Sequence, residues 1–109
     1  MAFINDVQQK VVDSRDILPL EIVDIEVALD LCNDVMAIIN KQMDRLEAAP
    51  ELDRSTLNVL RTLQHRFAHQ ERSELTRENM PHVRDFIATY APQIKRYYES
   101  GEVPKFLQG

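Results

Sequence analysis

The stretch DLCNDVMAIINKQMDRL, residues 30–46, decides the fold class of this 109-residue chain. Together with the eight residues before it, it places apolar side chains at alternating spacings of three and four without a break. Such a 3.5-residue period predicts a long amphipathic helix with one continuous apolar line, which we call the seam. The seam consists of Ile22, Ile25, Leu29, Cys32, Met36, Ile39, Met43 and Leu46.

Prolines and capping residues divide the whole chain into helical segments. Pro19 suits a first helical turn, and Asp53 or Ser55 can cap the segment that follows the long helix. Asn79 is a further candidate cap, and Gly101 can end the last helix. The predicted helices cover residues 3–14, 19–48, 54–74 and 80–99, with a C-terminal tail over 101–109.

These segments predict one all-α domain, a four-helix bundle with a short N-terminal helix and one long central helix. Pro92 falls opposite the apolar stripe of the last helix, so we expect it to point outward and to kink that helix. In the tail, Val103, Phe106 and Leu107 are expected to pack back onto the bundle. The apolar face predicted for residues 54–74 carries Thr56, Val59, Leu60, Leu63 and Phe67.

Composition excludes several classes of protein. Two glycines, both near the C-terminus, are too few for a phosphate-cradling or dinucleotide-binding loop. The single cysteine cannot form an internal disulfide. The N-terminus MAFINDVQQK lacks the pattern of a signal peptide, and no apolar run approaches the roughly 20 residues of a membrane span. These features predict a cytoplasmic protein that does not enter a membrane.

The seam can pack in either of two ways, within its own chain or against a second copy of the chain. In a monomeric bundle it faces only its own chain. In a homodimer the long helix also meets its copy, which suits a 3.5-residue period held over the full helix and a small chain that gains from added burial. We predict the homodimer, with an interface formed by Ile25, Leu29, Cys32, Met36, Ile39 and Met43.

No set of residues predicts catalysis. Cys32 lies in the apolar seam, where burial should raise the pKa of its thiol and lower its reactivity. The serines lie at helix ends or in loops, and no Glu-x-x-His pair supports a di-iron site. We therefore predict a protein that is not an enzyme and needs no cofactor.

A basic face on the third predicted helix is the candidate partner-binding surface. It carries Arg54, Arg61, His65, His69 and Arg72, and Tyr98 near the C-terminus could add an aromatic anchor. The partner would be another protein with an acidic helix. Nucleic-acid or other polyanion binding is the alternative, disfavoured because the chain carries a net charge of -5 and no aromatic residues alternate with the basic ones.

The same face contains the best metal-ligand spacing in the sequence. His65 and His69 are four residues apart, so both imidazoles share one helix face, and His82 could join them across the next loop. Neighbouring arginines would repel a metal ion, so we predict no metal site.

The formal charge is distributed unevenly along the chain. Residues 1–53 carry -8 and residues 54–109 carry +3, an asymmetry that can guide the choice of partner.

The C-terminal segment contains IKRYYESGE followed by KFLQG, which resembles the same segment of the colicin nuclease immunity proteins, a family of small acidic four-helix inhibitors. In that family a Tyr-Tyr pair is followed by proline, whereas Glu99 follows Tyr98 here. Function is therefore not transferred from the resemblance. The sequence as a whole predicts a small helical regulator, adaptor or inhibitor that acts through its surface.

Overall fold

The computed structural model describes residues 20–108, so the helix predicted over residues 3–14 lies outside the described residues. Within the described part every regular element is helical, which confirms the all-α class. Three α-helices are present there, and the fourth predicted for the chain is the one over residues 3–14. In order, the elements are α1 (Leu20–Ala48), α2 (Arg54–His65), a π-helical stretch (Arg66–Glu71), a 3-10 turn (Arg77–Asn79), α3 (Met80–Ser100) and a 3-10 segment (Lys105–Leu107).

The helix ends follow from local chemistry. Asp53 caps α2, since its Oδ1 accepts from the Thr56 N–H at 3.0 Å and its Oδ2 from the Thr56 hydroxyl at 2.6 Å. Gly101 ends α3 with φ at +73°, and its N–H donates to the Tyr97 carbonyl at 2.9 Å. Asn79 directly precedes α3 as predicted, but its side chain makes no capping hydrogen bond.

The third predicted helix differs from expectation at its C-terminal end. A regular α-helix was predicted to residue 74, but the chain changes to π-helical geometry at Arg66–Glu71. A π turn takes one residue more than an α turn, so it changes which side chains face the core beyond it. The position of Glu71 depends on this change.

Polar contacts show how α1 and α2 are arranged. Residues later in α1 contact residues earlier in α2 and its π-helical extension. Asn33 Oδ1 accepts from Arg72, just after that extension, at 3.1 Å, and Glu47 lies 3.8 Å from Arg61 in α2. The two helices are therefore antiparallel. α3 returns parallel to α1, and Arg84 near its start lies 3.7 Å from Asp24 near the start of α1.

The core lies between the three helices. Phe67, which has no exposed surface, occupies its centre, with ring centroids 6.2 Å from Phe86, 5.3 Å from Tyr90 and 6.2 Å from Phe106. Edge-to-face contacts of this kind add to the free energy of burial. The other buried core side chains are Ala28, Cys32, Val35, Ile38, Ile39, Leu60, Leu75, Val83 and Ile94.

The tail and the proline can be compared directly with expectation. Pro92 lies inside α3 and is exposed, as predicted. Phe106 is buried and Leu107 half-buried, so the tail does pack back, but Val103 is 56 % exposed, contrary to the prediction for that residue. Val103 precedes the 3-10 segment that turns Phe106 inward.

None of the described helices combines the length and apolarity needed to cross a membrane.

Candidate functional site

An open groove of about 770 Å³ lies between α2, α3 and the C-terminal 3-10 segment. Its lining is mainly apolar, with polar groups at the edges. The lining residues are Asn58, Val59, Leu60, Thr62, Leu63, Arg66, Thr89, Tyr90, Gln93, Lys105, Phe106 and Leu107.

The tail forms one wall of the groove because it is fixed to α3. The Phe106 N–H donates to Gln93 Oε1 at 3.1 Å. The Phe106 ring is almost fully buried, with its centroid 6.0 Å from that of Tyr90. These contacts hold Leu107 and Lys105 at the groove edge.

The groove leaves apolar surface in water. Val59 on α2 is 60 % exposed, although the helical period placed it on the apolar face with Leu60. Leu60 itself is buried, so the exposed Val59 lies at the margin of that face rather than in the core. Leu63 and Tyr90 are half-buried beside it. Contiguous exposed apolar surface with a polar rim is typical of an interaction site.

The charges on the groove have one sign. Arg66 and Lys105 are the charged members of the lining, and the lining contains no carboxylate. Arg66 is held by two neighbours, since its guanidinium lies 5.1 Å from the centroid of the Phe67 ring and its Nε lies 3.5 Å from Glu71 Oε1. On a chain with a net charge of -5, this is a local cationic rim.

Tyr90 presents a neutral phenol at this site. Burial raises the pKa of its hydroxyl above the ordinary value, and the nearby Glu71 carboxylate raises it further, while Arg66 opposes both effects. The hydroxyl therefore stays protonated at neutral pH and available as a hydrogen-bond donor.

The predicted basic face is exposed but lies outside the groove. Arg61 is paired with Glu47, and Arg72 donates to Asn33, so both contact α1. His65 and His69 stack with ring centroids 5.7 Å apart. None of the five predicted basic residues, and not Tyr98, lines the groove. Tyr98 is 63 % exposed and packs edge-on against Tyr97 at 5.3 Å.

The predicted dimer interface is largely used within the chain. Cys32 and Ile39 have no exposed surface, and burial raises the pKa of the Cys32 thiol as expected. The Cys32 Sγ lies 3.4 Å from the Phe67 carbonyl oxygen, to which it donates. Ile25, Leu29, Met36 and Met43 are partly buried against the same core. The homodimer stays a prediction, and only these four residues of its interface have surface to offer a copy.

His82, which the sequence offers as a third ligand beside His65 and His69, does not join those two histidines. Its Nε2 lies instead 3.5 Å from Glu71 Oε2 and 3.4 Å from Glu74 Oε2.

Comparisons with protein-family models, with curated proteins and with solved structures found no match. No family is therefore assigned, and the resemblance of the C-terminal segment gains no support.

Proposed function

We propose that this chain is a non-enzymatic protein-interaction module that binds an acidic amphipathic helix in the groove between α2, α3 and the C-terminal segment. The observation that carries the proposal is the composition of the groove: apolar walls, two cations and no carboxylate among its lining residues. A regulator, adaptor or inhibitor that acts through a helical surface fits this description.

The form of the groove favours a helix over a small molecule. Small-molecule sites usually enclose most of their ligand, whereas this groove is open to solvent. An amphipathic helix that lays its apolar face into a groove is a recurring mode of recognition, with anchors at spacings of three, four and seven residues. Val59, Leu63 and Leu107 provide apolar surface for such anchors.

The rim sets the charge expected of the partner. Carboxylates on the flanks of a bound helix would lie near Arg66 and Lys105. Lys105 has no carboxylate within 4.0 Å among the described residues, so its charge is available. Rim charges contribute mainly to specificity and to the rate of association, so an acidic helix is preferred over a basic one of the same shape.

The experiment is a selection from a displayed library of helical peptides. Apolar residues are randomised at the anchor positions, and the flanking positions are all Glu in one half of the library and all Lys in the other. We expect enrichment from the Glu half, and the enriched peptides should lose at least about tenfold in affinity for Val59→Glu, because a charge in an apolar contact is costly.

Val103→Glu is the matched control. Val103 is 56 % exposed against 60 % for Val59, and it does not line the groove, so the same change of charge there should leave binding intact. Enrichment of Lys-flanked peptides would show that the charge preference is wrong. Equal loss in the two variants, or no enrichment at all, would reject the groove as a helix-binding site.

A further inference from the structure

Three side chains with metal-binding groups meet where α2 and its π-helical extension turn toward α3. Glu71 ends the π-helical stretch, Glu74 lies in the turn, and His82 lies in the first turn of α3. Their ligand atoms all lie within 4.8 Å of one another. The set is distinct from the groove lining and from His65 and His69.

The imidazole of His82 has a polar atom without a hydrogen bond. Its Nε2 is buried and has no hydrogen-bond partner, although it lies 3.5 Å from Glu71 Oε2 and 3.4 Å from Glu74 Oε2. Those distances exceed the usual range for an N–H···O bond. A buried polar atom without a partner calls for an explanation, and an absent ion is one of the ordinary ones.

The spacing of these atoms fits a bound metal ion. Ligand atoms at about 2.0–2.1 Å from a tetrahedral Zn²⁺ lie about 3.3–3.5 Å from one another. The two distances from His82 Nε2 match that separation. One imidazole with two carboxylates suits zinc and similar divalent ions, whereas Mg²⁺ and Ca²⁺ prefer oxygen ligands throughout.

We propose that Glu71, Glu74 and His82 bind a divalent transition-metal ion of the zinc class, which fastens the end of the π-helical stretch to the start of α3. Glu71 and Glu74 supply two negative charges to such an ion, although Glu71 also pairs with Arg66. The fourth ligand is water, because His82 and Glu74 are 35 % and 46 % exposed at the side chain. A three-ligand site with an open position is an established arrangement for zinc.

Neighbouring contacts orient two of the ligands. Arg66 Nε lies 3.5 Å from Glu71 Oε1, the oxygen that does not face His82. This contact leaves Oε2 directed at the site. Residues outside the ligand set of a metal site commonly orient the ligands in this way. The His82 ring packs against Phe86 with centroids 6.5 Å apart. The π-helical stretch supplies Glu71, and π turns are frequent at functional sites.

The experiment uses the full chain, stripped of metal with a chelator and then titrated with Co²⁺ and Zn²⁺. We expect one equivalent of Co²⁺ to give the visible absorption of a tetrahedral complex and to be displaced by Zn²⁺. Zn²⁺ should raise the Tm, because it binds the folded chain in preference to the unfolded one. His82→Gln and Glu74→Gln should each weaken binding at least about tenfold.

His69→Gln is the control, because His65 and His69 form the rival pair of ligands on α2 and its extension. The Glu74 side chain is 46 % exposed, so its variant keeps the test valid even if His82→Gln were to unfold. Absence of Co²⁺ binding, or loss of binding in His69→Gln with retention in His82→Gln, would overturn the proposal. Val59→Glu should bind metal normally, so failure of the groove proposal and failure of this one are separable.

Discussion

Phe67 shows how one residue joins the local and long-range structure. Its side chain is fully buried among three other aromatic rings, and its carbonyl accepts a hydrogen bond from the Cys32 thiol. The helical period places Phe67 on the apolar face of its segment, and this placement is correct. The aromatic partners come from α3 and the tail, at distant positions in the chain.

Phe67→Ala should lower the free energy of unfolding by about 3–5 kcal/mol, because it leaves a cavity among rings that cannot close together. Urea denaturation followed by circular dichroism measures the change. Phe67→Leu fills more of the space and should lose less. A loss below about 1 kcal/mol for Phe67→Ala would mean that the aromatic cluster does not contribute as its burial implies.

At the scale of elements, caps and breaks were predictable because they depend on neighbouring residues in the chain. Asp53, Gly101 and the exposed Pro92 all lie where the sequence placed them. The π-helical stretch was not predictable, since nothing in RFAHQE breaks an α-helix. The π-helical stretch contacts α1, where the Cys32 thiol donates a hydrogen bond to the Phe67 carbonyl oxygen.

The Asp53 cap should make the stability of α2 depend on pH. Hydrogen bonds from the Thr56 side chain and backbone lower the pKa of the Asp53 carboxyl below its ordinary value of 3.8. Its stabilising contribution is therefore complete above that value and is lost as the pH falls through the lower folded-state pKa.

Asp53→Ala should lower the Tm near neutral pH, and the difference from the unchanged chain should shrink once the pH is below that folded-state pKa. Thermal unfolding at the two pH values measures this. Asp53→Asn retains an oxygen that can accept from Thr56 but does not titrate, so it serves as the control. A difference that stays constant with pH would contradict the assignment of the cap.

At the scale of the whole molecule, the uneven charge of the sequence is partly used inside the chain. Side chains of the acidic half on α1 meet basic side chains of the second half, as in Glu47 with Arg61 and Asp24 with Arg84. These pairs are exposed and contribute little to stability. One of them nevertheless engages Arg61, which the sequence predicts to bind a partner.

Self-association is the prediction that belongs to this scale. A homodimer through the α1 seam should give a mass twice the 12.7 kDa of one chain in light scattering. The mass should fall on dilution if the contact rests on the four partly buried seam residues alone. A single-chain mass at every concentration would mean that α2 and α3 satisfy the seam by themselves.

The sequence by itself determined the helical class, the bounds of most elements and the burial of Cys32 and Phe67, because these depend on period and on adjacent capping residues. Only the tertiary structure decided the groove and brought Glu71, Glu74 and His82 together. The groove and this cluster both assemble side chains from separate elements, and the π-helical stretch changes the phase of the helix just before Glu71. A period read from residues 54–65 cannot anticipate that change.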